Sequence, residues 1–357
     1  MIRRTVRRHM LWVLALVVVG ALAPLPYVLV EPGIPNDTFA TVKGKPLLEI
    51  IGKQTYPTTG KLNLTSIWVT KPDSQLHSVE LLRAWIDGER SVQPREVFYP
   101  AGTNIKKVNA QNVAEMKNSQ INAKLAALNH LGITYSTKFL IKGFTSNSQN
   151  KENLAIDDQV ISFDGQKISS LSQLKKLITN SNKSDVVLGV IRKGKNLVIP
   201  VRIGSEAASA DSPVNNSTDS SAAGRIKKNS IGIYIAEDYT LPFDVKIRLK
   251  NIGGPSAGLI FTLAMVDKLT SEDLVKKRNV AGTGTITPTG KVGPIGGIEE
   301  KLIGAAREGA TFFLAPALNC PDIKHIPRGL TVVPVDTLDE AIAALRESDP
   351  ERLPICG

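Results

Sequence analysis

The longest uncharged run comes first: Met10 to Val30 holds 21 residues without a charge. About 20 apolar residues in a helix cross the hydrocarbon core of a bilayer, so residues 10–30 are expected to form a transmembrane helix. Arg3, Arg4, Arg7 and Arg8 precede the run. Positive charge beside a span keeps that side in the cytoplasm, which makes residues 1–9 a cytoplasmic stub. The remainder is then the extracytoplasmic part of a single-pass cell-membrane protein. Two other readings stay open. One is a secretory leader cut after Ala21-Leu22-Ala23, against which Pro24 and Pro26 argue. The other is a buried helix of a soluble fold.

Beyond residue 30 the period changes. Leu62-Asn63-Leu64-Thr65 and Ile67-Trp68-Val69-Thr70 read as strands. Ser78–Trp85 and Asn112–Leu131 read as helices, the second stopping at Gly132. Residues 31–125 are therefore expected to be mostly β and to pack on the rest. Residues 126–204 alternate strand and helix signals. Lys138-Phe139-Leu140-Ile141 is a strand, and Val160–Phe163 is another that runs into an Asp164-Gly165 turn. Leu171–Ile178 is an amphipathic helix, and Val186–Ile191 with Leu197–Val201 makes a hairpin around Lys193-Gly194.

Residues 205–225 are a Ser/Ala/Asn/Asp tract with almost no large apolar side chain. Such a tract cannot bury enough surface to order itself and reads as a flexible linker. In residues 226–357, Phe243, Val245, Ile247 and Leu249 alternate with Asp244, Lys246, Arg248 and Lys250, the pattern of a half-buried strand. An apolar helix over Leu259–Leu269, strands over Thr311–Leu314 and Leu330–Val335, and a closing helix over Leu338–Arg346 follow. The part beyond the membrane is thus a mixed α/β fold.

Composition narrows the classes. The 357 residues are 42% apolar and 22% charged, ordinary globular usage, which excludes a wholly disordered chain and a polytopic membrane protein. The net charge of +11 suits an anionic membrane surface. Lys and Arg form no block beyond the N-terminus and aromatics are only 5%, so no nucleic-acid partner is expected. Two cysteines and four histidines exclude a disulfide scaffold or a zinc array, and no metal or cofactor is expected.

The chemistry centres on Gly253-Gly254-Pro255-Ser256-Ala257-Gly258, between a strand and a buried helix. Gly254 lets the backbone turn sharply, Pro255 suits a helix start, and Ser256 falls at a helix N-terminus whose free N–H groups favour an anion. The same groups can hold the oxyanion of a tetrahedral intermediate. A Gly-rich structural turn and a phosphate cradle are the alternatives, but the chain has no G-x-x-x-x-G-K-[ST] loop. A nucleophilic serine needs a base. His77, His130 and His325 lie in no motif. Lys301 lies at the border of a helix face formed by Ile298, Leu302, Ala305, Ala306 and Gly309. Half-burial there would lower its pKa and let the neutral amine accept the serine proton. The alternative is a solvated lysine paired with Glu300 or Glu308.

Together, GGPSAG, AGTGTITPTGKVGPIGGIEEKLIGAAREGA and FFLAPALNC resemble the proteolytic domain of the Lon protease family, over about 130 residues from Ile226 to the C-terminus. The resemblance implies an α+β proteolytic domain in which Ser256 is the nucleophile and Lys301 the general base of a Ser-Lys dyad. It implies that Thr283 helps hold the lysine amine, with Gly254 and Pro255 shaping the turn. Gly253 departs from the acidic residue many members carry there. The ATPase module of the family is missing, so substrates must already be unfolded or flexible.

The stretch Leu154–Ile161, Asp164-Gly165 and the Arg192-Lys193-Gly194 hairpin resembles a PDZ domain. Asp157 stands where that pattern has glycine. The resemblance implies recognition of extended peptides, with Leu131-Gly132-Ile133 as a candidate carboxylate-binding turn. Anchor, PDZ-like domain and protease domain in this order resemble membrane-bound, ATP-independent PDZ-Lon proteins, which implies protein or peptide substrates and a homo-oligomer. In that extracytoplasmic setting Cys320 and Cys356 would oxidise to a disulfide. The competing expectation is a non-catalytic PDZ-based binding or scaffold protein at the membrane.

Overall fold

The computed structural model describes residues 2–100, 103–206, 228–249 and 252–356. Most of the expected linker at 205–225 lies outside the described residues. The chain divides into two compact units, one made of residues 1–134 and 243–357, the other of residues 135–242. The second is thus an insertion within the first.

The first unit is built on a five-stranded sheet in the order Thr331–Val335, Phe312–Pro316, Asn279–Gly282, Lys61–Leu64, Asn36–Asp37. The first four strands are parallel and the last is antiparallel. Phe312–Pro316 is buried at every position, as a parallel strand covered on both faces requires. Residues 31–125 belong to the same compact unit as residues 243–357. They supply two strands of its central sheet, and Leu48–Ile51 pairs with Asp244–Ile247. They also supply most of a 26-residue helix, Ile105–His130. This long helix is capped by Asn104, whose side chain accepts from Lys107 N at 2.9 Å.

Among the described residues, no helix is long and apolar enough to cross a membrane. The expected transmembrane helix over 10–30, and the single-pass localisation built on it, are corrected accordingly. The first helix spans Ile2–Leu22 and takes in the whole arginine cluster. Its uncharged part, from Met10, is roughly 20 Å long at 1.5 Å per residue, against the ~30 Å of a hydrocarbon core. Pro24 and Pro26 withhold the N–H groups a continuing helix needs. From Tyr27 to Pro32 the chain is a strand instead, paired antiparallel with Ser91–Pro94 and Ile67–Val69. Its Val28, Leu29 and Val30 are buried there.

The second unit is an antiparallel sheet in the order Lys195–Arg202, Asp185–Arg192, Gln159–Phe163, Ser136–Phe144, Ile233–Thr240. Helix Leu171–Thr179 packs on it through Leu174. Phe139, Ile141, Val160, Leu188 and Val190 form its core. Ile233–Thr240 joins this sheet, although its sequence position groups it with the C-terminal domain, because Ile233 and Ile235 pack on that core. Asp157 takes the left-handed φ of +67° that glycine would supply, a conformation Asp tolerates better than most residues. Its carboxylate accepts from Lys142 Nζ at 2.6 Å, so the turn survives the substitution.

Candidate active site

The apolar helix that carries the serine turn spans Gly258–Leu269 and is buried over its first ten residues, Gly258 to Asp267. It has no polar face, so it runs through the core. Ser256 lies two residues before its start and is half-buried, within reach of a substrate. Gly254 has φ +83°, which reverses the chain without the steric penalty a side chain would bring. Gly253 lies against the long helix: a Cβ there would stand 2.6 Å from Asn112 Cβ. Any side chain at this position would require the long helix to shift.

Both carbonyls flanking the serine are held. Pro255 O accepts from Ser119 Oγ at 2.8 Å. Ser256 O accepts from Gly284 N at 2.8 Å and from Thr283 Oγ1 at 3.2 Å. Gly254 N donates to Asn112 O at 3.1 Å. Thr283 follows directly on the strand Asn279–Gly282, fully buried, with its own N–H donated to Leu314 O. The central sheet thus delivers the threonine to the serine turn.

Lys301 is on the helix Ile298–Arg307. Helix phase alone leaves it at the edge of the apolar face, yet it is only 2% exposed. The other side of the helix is covered by residues far away in sequence. Gly304 lies so close to Gly33 that a Cβ would meet Gly33 O at 2.6 Å, and Gly297 is packed against Ile67. The segment expected to end a membrane span is one of those that cover this helix. Lys301 Nζ donates to Thr283 Oγ1 at 3.0 Å. Burial pushes the lysine down from 10.5 to about 7, against the opposing pull of the neighbouring Glu300 carboxylate. An amine lowered this far is neutral in a substantial fraction near neutral pH and can take a proton.

The three residues singled out in sequence are thereby brought into one chain of contacts, Lys301 to Thr283 to the main chain of Ser256. Residues 225–347 match the family described as the Lon protease (S16) C-terminal proteolytic domain. This region is a Lon-type serine protease domain. Residues 144–203 match the PDZ domain family. The C-terminal part is 34% identical over 137 residues to the Lon protease of Geobacter metallireducens, covering 36% of this chain and 16% of that protein. It is 38% identical over 126 residues to Lon protease 1 of Bacillus subtilis, covering 33% of this chain and 16% of that one. The chain thus spans no more than 16% of the length of either relative. Among solved structures, the PDZ domain of an SdrC-like protein from Listeria monocytogenes covers 27% of this chain and 85% of its own length. It does so at 13% identity and a TM-score of 0.21.

The match to the Lon-type domain begins at residue 225, so it leaves out the long helix and both N-terminal strands of the central sheet. Ser119 and Asn112, which hold the serine turn, lie in that unmatched part. A serine inside a long helix with no clear apolar stripe gives no sequence signal, and both were missed. Leu131-Gly132-Ile133 serve a different end from the one expected. Gly132 takes φ +65° and Ile133 N donates to Leu128 O at 2.8 Å, which stops the long helix inside the first unit. Cys320 and Cys356 are joined, with Cα atoms 5.2 Å apart. Among the described residues no group of three or more His, Cys, Asp or Glu side chains is placed to hold a metal.

Proposed function

We propose that this chain is an endopeptidase working through a Ser256–Lys301 dyad. The observation that carries the reading is a buried lysine, lowered to about 7, hydrogen-bonded to a threonine that is itself bonded to the Ser256 carbonyl. Ser256 Oγ attacks the scissile carbonyl carbon while its proton passes to Lys301 Nζ. The tetrahedral oxyanion is held by main-chain N–H groups at the start of the serine helix. Collapse breaks the C–N bond, and Lys301 returns the proton to the leaving amine. Water then attacks the acyl-enzyme with Lys301 again accepting a proton, which releases the new carboxyl terminus.

The 357 residues contain no phosphate loop, so cleavage by this chain uses no nucleotide of its own, and its substrates are protein segments that are already unfolded. The PDZ domain's part is recruitment. Among the described residues, Ile233–Thr240 ends its sheet with one edge unpaired, and an extended peptide adds to such an edge through main-chain hydrogen bonds. The deciding experiment incubates the full chain with casein in the absence of ATP, beside Ser256→Ala and Lys301→Ala. Cleavage by the wild type alone is expected. Equal cleavage by all three would sink the dyad, and no cleavage by any would favour a binding protein.

A further inference from the structure

The Ser256 turn is held from two directions, and only one of them belongs to the matched proteolytic domain. On one side Thr283 and Gly284, from the central sheet, fix the Ser256 carbonyl. On the other side the long helix Ile105–His130 fixes the preceding peptide. Ser119 Oγ donates to Pro255 O at 2.8 Å, and Asn112 O accepts from Gly254 N at 3.1 Å. Ser119 is 4% exposed, so its hydroxyl has no bulk water to turn to. A Cβ on Gly258 would come within 3.1 Å of Ser119 Oγ, so helix and turn meet without space between them.

Pro255 O and Ser256 N belong to one planar peptide group. A bond that fixes the direction of the Pro255 carbonyl therefore fixes the opposite direction of the Ser256 N–H. It also fixes the plane from which the Ser256 Cα–Cβ bond projects. That N–H is one of the groups available to an oxyanion at the helix start. Orientation matters here because an oxyanion donor works only when it already points where charge develops.

We propose that Ser119 is a positioning residue for the reaction, holding the Pro255–Ser256 peptide so that the Ser256 hydroxyl and N–H face the scissile carbonyl. This rests on Ser256 being the nucleophile. It extends the site beyond the matched domain to a helix that leads directly into the inserted unit. Ser119 touches no substrate atom; it acts through the peptide group.

The test compares Ser119→Ala with the wild type in the full chain, on a fluorogenic peptide. Losing one neutral hydrogen bond that is used to orient the transition state is expected to lower kcat about tenfold. KM is expected to stay within about twofold, because ground-state binding is untouched. The inflection of the rate near pH 7 should not move, since Lys301 keeps its surroundings. Reaction with a fluorophosphonate, which needs the serine but no peptide subsite, should slow in the same proportion as kcat. Leu128→Ala is the packing control. Leu128 is fully buried on the same long helix, more than two turns beyond Ser119, so its kcat should match the wild type whatever its unfolding midpoint.

An unchanged kcat in Ser119→Ala would overturn the proposal. So would a KM rise alone, or equal kcat losses in Ser119→Ala and Leu128→Ala at equal loss of folded protein. Ser256→Ala, run alongside, separates the two levels. If it cleaves as the wild type does, the nucleophile itself is wrong. If it is dead while Ser119→Ala is fully active, only the positioning role falls.

Discussion

Lys301 donates to Thr283 at 3.0 Å, and the Thr283 hydroxyl donates in turn to the main-chain carbonyl of Ser256 at 3.2 Å. The threonine is a two-sided clip, since its one hydroxyl both accepts from the lysine and donates to the serine peptide. Thr283→Val keeps the shape and removes both bonds. It leaves a buried lysine amine and a carbonyl each short of one partner, a loss of about 1–3 kcal/mol. The expected result is a kcat reduced by about 10- to 100-fold with KM little changed. Thr283→Ser, which keeps the hydroxyl, should retain most of the activity. Equal activity in the two variants would remove Thr283 from the site.

The depressed lysine has a second, opposite reading in stability. Its folded value is about 7 and its ordinary value 10.5. Between those values the unfolded chain holds a proton that the native lysine has released. Stability therefore rises with pH across that window, and the full penalty of the buried charge is felt below it. Urea unfolding of the wild type and of Lys301→Met at several pH values from 6.5 to 9.5 should give a difference that shrinks as pH rises. The total available is on the order of 4 kcal/mol. The cleavage rate of the wild type should rise through an inflection near 7 and be low in acid. A flat stability difference would mean that Lys301 is solvated.

The serine turn was legible in the sequence because its glycines, proline and serine sit together between a strand and an apolar run. The lysine was legible only as a borderline position. Its depth depends on Gly33 and Ile67, more than 230 residues away, and no local pattern carries that. Ser119 was illegible for the same reason: its partner Pro255 is 136 residues distant. Residues 10–30 do not form one membrane helix because the uncharged run is divided between a helix ending at Leu22 and a strand starting at Tyr27. Periodicity cannot tell a buried strand from a helix, and Pro24 and Pro26 marked the break. The sequence also placed Ile233–Thr240 in the protease domain, since nothing in an isolated strand names the sheet it joins.

Asp267 provides a pH dependence of the other sign. It is 1% exposed and sits near the end of the serine helix. Oδ1 accepts from Leu274 N at 2.7 Å, while Oδ2 has no hydrogen-bond partner among the described residues. Burial raises its pKa from 3.8 to about 6. Between those values the native state holds a proton that the unfolded chain has lost, so this group's contribution falls as pH rises through 6. In Asp267→Asn, which does not titrate, stability relative to the wild type should increase by about 2–3 kcal/mol from pH 4 to pH 7. Its value at any single pH also includes whatever the new amide gains or loses. The slope of the difference is the readout, and a zero slope would show that the carboxylate is already satisfied.

The bridge between Cys320 and Cys356 closes a 36-residue separation. It ties the C-terminal tail to the turn after strand Phe312–Pro316. The tail is also held by Cys356 N, which donates to Val332 O at 3.0 Å, and Cys356 is 3% exposed. The pairing was expected from a topology in which residues 10–30 span a membrane; among the described residues no helix can do so, and the bridge stands instead on the proximity of the two residues. In the chain-entropy model a loop of this length contributes about 4 kcal/mol. Cys356→Ser, or the wild type in strong reductant, should therefore unfold at clearly lower urea concentration. Cleavage below the transition should be unaffected, because neither cysteine lies in the chain of contacts from Lys301 to Ser256. Free-thiol titration of the native protein is the direct check: no reactive thiol before reduction and two after it. Two free thiols in the untreated protein would overturn the bridge, and an unchanged midpoint after reduction would mean that the tail is held by its main-chain bond and packing alone.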